Sequence, residues 1–312
     1  MSTPKAAKGR LSALLVVALL GGIAGRSGTA LAATPVSFDP ARVGWSEIRM
    51  TASKLFLTAE ARLTLRIVPG TAAMTDLLTV PATPFTPIMP DKDVLELVYD
   101  AHGAGLRSRL TLLMDPVTGA ALQNTQHGQE GKLRYRIYRF GLEGAYQTTR
   151  SPANASEKAL MPARWTDTSE GLRTYPVPPR EQPVVETTGL LYAIAAAALD
   201  RPGDTVDILV FRRRDTQWVR VEVQPPRDIN VRYDELWPKG TVQRSGTVRP
   251  LRLSLQGLPV AGGDPDEDLE LLGLRGRLEL LLDPATRAPL QLSGKVKVLG
   301  SVTLKLAAVR PR

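Results

Sequence analysis

The chain reads as a mainly β protein: a strongly curved antiparallel sheet or open β-barrel, carrying one short buried helix and showing signs of two related halves. Three observations predict this. The first is a repeated phrase: Arg109 to Gln123 reads RLTLLMDPVTGAALQ and Arg277 to Gln291 reads RLELLLDPATRAPLQ, identical at ten of the fifteen positions. Each copy is an apolar run, then Asp-Pro-x-Thr, then a second run. Asp followed by Pro suits a type I turn, because Pro presets φ and the Asp side chain bonds nearby amides. Each phrase therefore predicts a hairpin. The second observation is period-two alternation, as in Leu63, Leu65 and Ile67 against Arg62, Thr64 and Arg66, which puts aliphatics on one strand face and polar groups on the other. The third is a single apolar helical run, Gly189 to Leu199, reading GLLYAIAAAAL.

Taken in order, the N-terminus predicts export. Lys5, Lys8 and Arg10 precede the apolar run Leu11 to Ala24, and Ala30-Leu31-Ala32 has the small-x-small form of a cleavage site before Ala33. The competing reading is a membrane anchor, but a spanning helix needs about 20 apolar residues. Residues 1–32 are thus expected to be a cleaved signal peptide. The mature protein is expected in the periplasm or secreted, with no integral membrane segment after cleavage. The formal charge is +9, and four of the cations lie in the signal. The mature chain is mildly basic, which does not argue for nucleic acid as a partner.

From Gly44 the strands run as Ser46–Thr58, Ala61–Val68, Val94–Ala101, Gly105–Met114 and Lys132–Phe140. Pro81, Pro84, Pro87 and Pro90 recur at the polyproline II period; they predict a stiff crossing loop, or a lid across a cleft. A polar stretch from Ser151 to Arg173 and the proline-rich Tyr175–Pro183 mark the break between an N-terminal β half, 33–183, and a C-terminal β half, 184–312. The helix follows, with Thr188 as its cap and Pro202-Gly203 as its stop. Being apolar on every face, it must be buried. Further strands are expected at Thr205–Arg212, Gln217–Gln224, Asp228–Tyr233, Thr241–Leu255, Asp268–Asp283, Leu290–Val298 and Ser301–Val309.

The second half resembles the bacterial domain-of-unknown-function family 3108, whose members are mostly exported. Three features carry the resemblance: the apolar helix ending in Gly203-Asp204-Thr205 before the strand Val206 to Phe211, the turn around Asp283 to Pro289, and the closing segment Leu299 to Leu306. It covers Thr187 to Val309 well and the first half loosely. It implies a curved antiparallel sheet like the open barrels of envelope lipid and lipoprotein carriers, and it brings no catalytic residues.

Several chemistries lack their residues. The chain has no Cys, and His102 and His127 are its only histidines; both read as exposed loop residues. No P-loop, Gly-x-Ser-x-Gly elbow or zinc spacing occurs. The acidic turn Gly262 to Asp268 resembles a calcium loop but has Leu269 and Arg275 where glycine and glutamate belong. Adjacent acids such as Asp234 and Glu235, or Asp264 and Asp266, do not face one another across a substrate. No catalytic residue, metal or cofactor is therefore expected. Two non-catalytic functions compete. One is a carrier of a lipid or other apolar or amphipathic envelope molecule, lined by residues such as Leu190, Leu191 and Ile194. The other is an adaptor that binds another envelope protein through β edges or proline-rich segments. An open apolar cavity on the concave face favours the first, and a face filled by the helix favours the second.

Overall fold

The computed structural model describes residues 36–54, 57–81, 84–103, 106–128, 133–175, 182–212, 215–260, 269–296 and 299–312. The expected signal peptide lies outside them. Residues 33–312 form one compact unit.

A lead-in with a 3-10 turn at Pro40–Arg42 precedes the first hairpin, β1 (Trp45–Lys54) and β2 (Leu57–Val68). A helix not foreseen from sequence, α1 (Gly70–Asp76), comes next. A meander follows: β3 (Val94–Gly103), β4 (Leu106–Met114), β5 (Ala121–Gly128), β6 (Arg134–Phe140), β7 (Gly144–Ser151) and β8 (Asp167–Thr174). The short β9 (Val185–Glu186) and a 3-10 turn at Thr187–Gly189 lead into α2 (Leu190–Ala196). Then come β10 (Thr205–Phe211), β11 (Thr216–Gln224), β12 (Ile229–Trp237), β13 (Gly240–Val248) and β14 (Leu251–Pro259). The chain closes with β15 (Glu270–Leu271), β16 (Leu274–Leu282), β17 (Pro289–Val296) and β18 (Gly300–Pro311).

These strands form one curved, unclosed 18-stranded sheet. It is antiparallel except where β9 runs with β10 and β12 with β18. The path from one end is β8 back to β2, across β1 to β18, then β17, β16, β14, β11, β10 and β9. The halves 33–183 and 184–312 hold β1–β8 and β9–β18, and share a single core. Leu63, Leu97 and Leu112 from the first pack in one cluster with Val221, Leu255, Leu280 and Leu292 from the second. All seven side chains of α2 lie in that cluster, each at 0% exposure.

The repeated phrases form matching hairpins, β4–β5 and β16–β17. In the first turn, Asp115 Oδ1 accepts from the N–H groups of Val117 (2.8 Å) and Thr118 (2.6 Å). In the second, Asp283 Oδ1 accepts from those of Ala285 (3.0 Å) and Thr286 (2.8 Å). The closing bond spans five residues rather than the four of a simple type I turn: Gly119 N–H to Asp115 O at 3.0 Å, and Arg287 N–H to Asp283 O at 2.8 Å. That requires a left-handed fifth residue, and Gly119 (φ 74°) and Arg287 (φ 58°) supply it. Each second strand then bulges at its start. Met114 pairs with Ala121 and Leu113 with Gln123, while Leu282 pairs with Pro289 and Leu281 with Gln291.

Other expectations need correction. The run expected at Thr241–Leu255 is two strands, broken at Arg249-Pro250, because Pro has no N–H to donate and holds its predecessor extended. The helix ends at Ala196 rather than Leu199, since Ala197 is already extended. The Thr188 side chain does not cap it: α2 begins after Gly189 with no side-chain cap, and Glu186 caps the preceding 3-10 turn, its carboxylate accepting the Thr188 N–H at 2.7 Å. Part of the polar stretch expected to separate the halves is a strand, β8, exposed along nearly its whole length. The proline-rich stretch is a crossing strap. Ile88 N–H donates to Phe140 O at 3.0 Å, and the ring of Phe85 is buried. Beneath it, Arg139 is buried against the backbone carbonyls of Leu122 (2.6 Å) and Ile88 (2.6 Å), and burial pushes its guanidinium down to about 10.

Replacing Gly119 with Ala would place a Cβ 2.6 Å from the Phe38 ring in a backbone region that favours glycine. Urea unfolding of Gly119→Ala is expected to show a loss of about 1–3 kcal/mol. Wild-type stability would show that the turn lacks this constraint.

Candidate functional site

The concave side of the sheet is the first place to look for a ligand. The residues expected to line it, Leu190, Leu191 and Ile194, are all on α2 and all at 0% exposure. They face core side chains, and no ligand reaches them while α2 stays in place. Both ends of the helix are fastened. Tyr192 Oη donates to Pro116 O in the first repeated turn at 2.9 Å, and Arg287 of the second donates to Leu199 O at 2.7 Å. Asp39 N–H donates to Ala196 O at 2.9 Å, and Arg42 donates to Ala197 O at 3.2 Å. Asp200 joins Arg42 and Arg287 in one ion cluster. The carbonyls left over at the end of a helix thus receive donors from the lead-in and from a turn.

The sheet fails to close along one seam, where β5 and β6 approach β9 and β10. Among the described residues one main-chain bond crosses it, Ala121 N–H to Val184 O at 2.9 Å. Aromatic side chains also meet across it. The Phe211 ring packs edge-on against Tyr138 (5.7 Å), Phe140 (5.2 Å) and Tyr175 (6.3 Å). Aromatic pairs of this kind hold a gap that no ladder spans. Beside them lie Asn124, at 0% exposure, and Glu186. Burial pushes the Glu186 carboxyl up to about 7, against the opposing pull of the Thr188 N–H and hydroxyl and the Asn124 amide.

The third feature is the β12–β13 hairpin. Its register puts Ile229, Val231, Tyr233, Glu235 and Trp237 on one face with Val248, Gly246, Arg244, Val242 and Gly240. Near its base that face packs on the core through Ile229, Val231, Tyr233 and Val248. Farther out Glu235 pairs with Arg244 at 2.9 Å, and the apolar stripe continues uncovered through Trp237 (44% exposed) and Val242 (46%). Among the described residues β13 pairs only with β12, so one edge of this nine-residue strand is open. Two residues separate the pair Trp237 and Gly240, and such flanking residues exchange the hairpin's bonds. By alternation, Thr241, Gln243, Ser245 and Thr247 point their N–H and C=O groups away from β12. Sequence reasoning missed this edge because it read 241–255 as one continuous strand; Pro250 was the available signal.

Asp234 and Glu235 are successive residues of β12 and occupy opposite faces. Asp264 and Asp266, with the acidic turn, lie outside the described residues. His102 and His127 stand in strands, β3 and β5, rather than in loops, and both are exposed. His127 is flanked by the rings of Tyr135 and Trp165. Among the described residues no group of three acidic or histidine side chains could hold a metal ion, and no helix is long and apolar enough to cross a membrane. No family model, curated protein or solved structure matches the chain.

Glu186 makes the seam pH-dependent. Its folded-state value is raised above that of the unfolded chain, so the protein loses stability as pH rises from about 4.5 through about 7. Glu186→Gln removes this loss, and above pH 8 it is expected to be more stable than wild type by up to about 3 kcal/mol. Chemical denaturation across pH 5 to about 8.5 reads this directly. Parallel curves for the two proteins would show that Glu186 does not titrate in that window.

Proposed function

We propose that the protein is a non-catalytic adaptor of the cell envelope, which binds an extended segment of another envelope protein along β13. The observation that carries this reading is the open edge of β13 beside the uncovered Trp237 and Val242. An incoming strand gains main-chain bonds from Thr241, Gln243, Ser245 and Thr247, and its alternate side chains extend the apolar stripe. Natural proteins usually protect so long an edge, and among the described residues nothing covers this one. The filled concave face supports the same reading, because it leaves the outside of the sheet for binding. The N-terminal signal pattern supports a location in the envelope. The outer edge of β8, at one end of the sheet, offers little that is apolar: its residues are Asp, Thr, Ser, Glu, Gly, Leu, Arg and Thr.

The carrier is the second reading, and the unladdered seam is the feature in its favour. A lipid chain would enter there only if α2 withdrew and the Phe211 cluster parted.

Placing a photo-crosslinking residue at Val242 in the native organism is expected to trap one envelope protein, through a single segment. A synthetic peptide of that segment should bind the purified protein saturably. Gln243→Pro, which deletes an outward N–H and is tolerated on an edge strand, should weaken that binding at least about tenfold, or roughly 1.4 kcal/mol, with the melting temperature unchanged. Undiminished binding by Gln243→Pro would refute strand addition. Stoichiometric uptake of a fluorescent fatty acid by delipidated protein would favour the carrier instead.

A further inference from the structure

The two repeated hairpins differ in one respect that points to a second site. In the first, β4 and β5 stay in register from Leu112 opposite Asn124 to Ser108 opposite Gly128. Arg109 lies in that regular stretch and reaches Asp100 at 3.8 Å. In the second, Arg275 pairs with Lys295 and Glu279 with Ser293, so Gly276, Arg277 and Leu278 all stand opposite Gly294. Two glycines permit this wide bulge. Gly276 has φ 85°, and a Cβ on Gly294 would lie 2.5 Å from the Leu278 side chain. The first copy has Ser108 and Gln126 at the matching positions, which fits its regular ladder. Bulges re-aim side chains, and here the re-aimed residue is Arg277, the counterpart of Arg109.

Arg277 lines a polar groove of about 680 Å³ over β11, β14, β16, β17 and β18, a volume in the usual range for small-molecule sites. Lys295 lines it too. Neither side chain has a hydrogen-bond or ion-pair partner among the described residues. The carboxylate nearest in the ladder, Glu279, is already held by Arg252 at 2.6 Å and Arg227 at 2.5 Å. Glu222 also lines the groove, on β11. Hydroxyl and amide groups fill much of the remaining wall, among them Gln224, Ser254, Ser293 and Thr303. Both cations are exposed to solvent and free to take an oxyanion, the acceptor that charged donors bond most strongly. Gln224 donates to Ser254 at 3.0 Å and Ser293 shares a hydrogen bond with Thr303 at 2.9 Å; amides and hydroxyls have more than one bonding position, so ligand hydroxyls can meet those that remain.

We infer that this groove binds an anionic saccharide, with its phosphate or carboxylate on Arg277 and Lys295 and its hydroxyls on the surrounding amides and alcohols. This surface is separate from the open edge of β13, and neither assignment depends on the other.

Isothermal titration of the mature protein with glucose 6-phosphate, glucuronate, glucose and inorganic phosphate tests it. At least one of the two anionic sugars is expected to bind with a Kd below about 1 mM, and at least tenfold more tightly than glucose or inorganic phosphate. The double variant Arg277→Ala/Lys295→Ala should lose at least tenfold of that affinity. Arg109→Ala, the same change in the regular copy, should lose none. Should the double variant melt early, Lys295→Gln alone is expected to weaken binding about threefold. Absence of binding by the wild type up to about 10 mM, or full binding by the cation variants, would overturn the site. Equal binding of inorganic phosphate and the sugar phosphate would overturn the saccharide assignment.

Discussion

Burial of α2 is the constraint on which the rest of the molecule depends. Seven consecutive residues, Leu190 to Ala196, carry no exposed surface, and each buried methylene contributes about 0.8 kcal/mol. A helix apolar on all sides has no stable position in water, so the sheet must wrap it. The wrapping explains the curvature of the sheet, the shared core of the halves and the fastening of the helix ends by Tyr192, Arg42 and Arg287. It also explains why the seam can stay open: with the helix inside, the Phe211 ring cluster suffices where a ladder is missing.

The two hairpins that carry the repeated phrase use one local solution in two settings. Both turns use an aspartate to hold two backbone amides and a left-handed fifth residue to return the chain. Both sit at the end of the sheet where α2 is pinned, one receiving Tyr192 and the other presenting Arg287. Away from the turns they part. The first copy is covered on its outer face by α1 and the proline strap, through Leu113, Leu122 and Ala73. The second is bulged at Gly276 and leaves a polar groove. The two turns share their chemistry and differ on their outer faces, while their inner faces meet in one core.

Much of this was legible in the sequence, and the failures have physical causes. Period-two alternation located most strands, and the repeated phrase located both hairpins, because their side chains face a buried side and a wet side. Apolar α2 declared itself for the opposite reason, since none of its side chains meets water. The amphipathic stretch Gly70 to Asp76 buries only Ala73, too little to give a helical period. Polar β8 has no buried face, so alternation could not mark it. The partnered edge of β13 and its free edge carry the same kinds of residue, and exposure of an edge is decided by which strands arrive beside it. The seam, with Glu186 and Asn124, joins positions far apart in the chain, and no local pattern encodes that meeting.

The central claim is that the interior is occupied by the protein itself, so that binding takes place outside. Native mass spectrometry of protein purified from its native organism, with lipid extraction of whatever accompanies it, tests this most directly. The account predicts the bare mass of the mature chain, alone or with a protein partner, and no stoichiometric lipid. One acyl-bearing molecule retained per chain would contradict it.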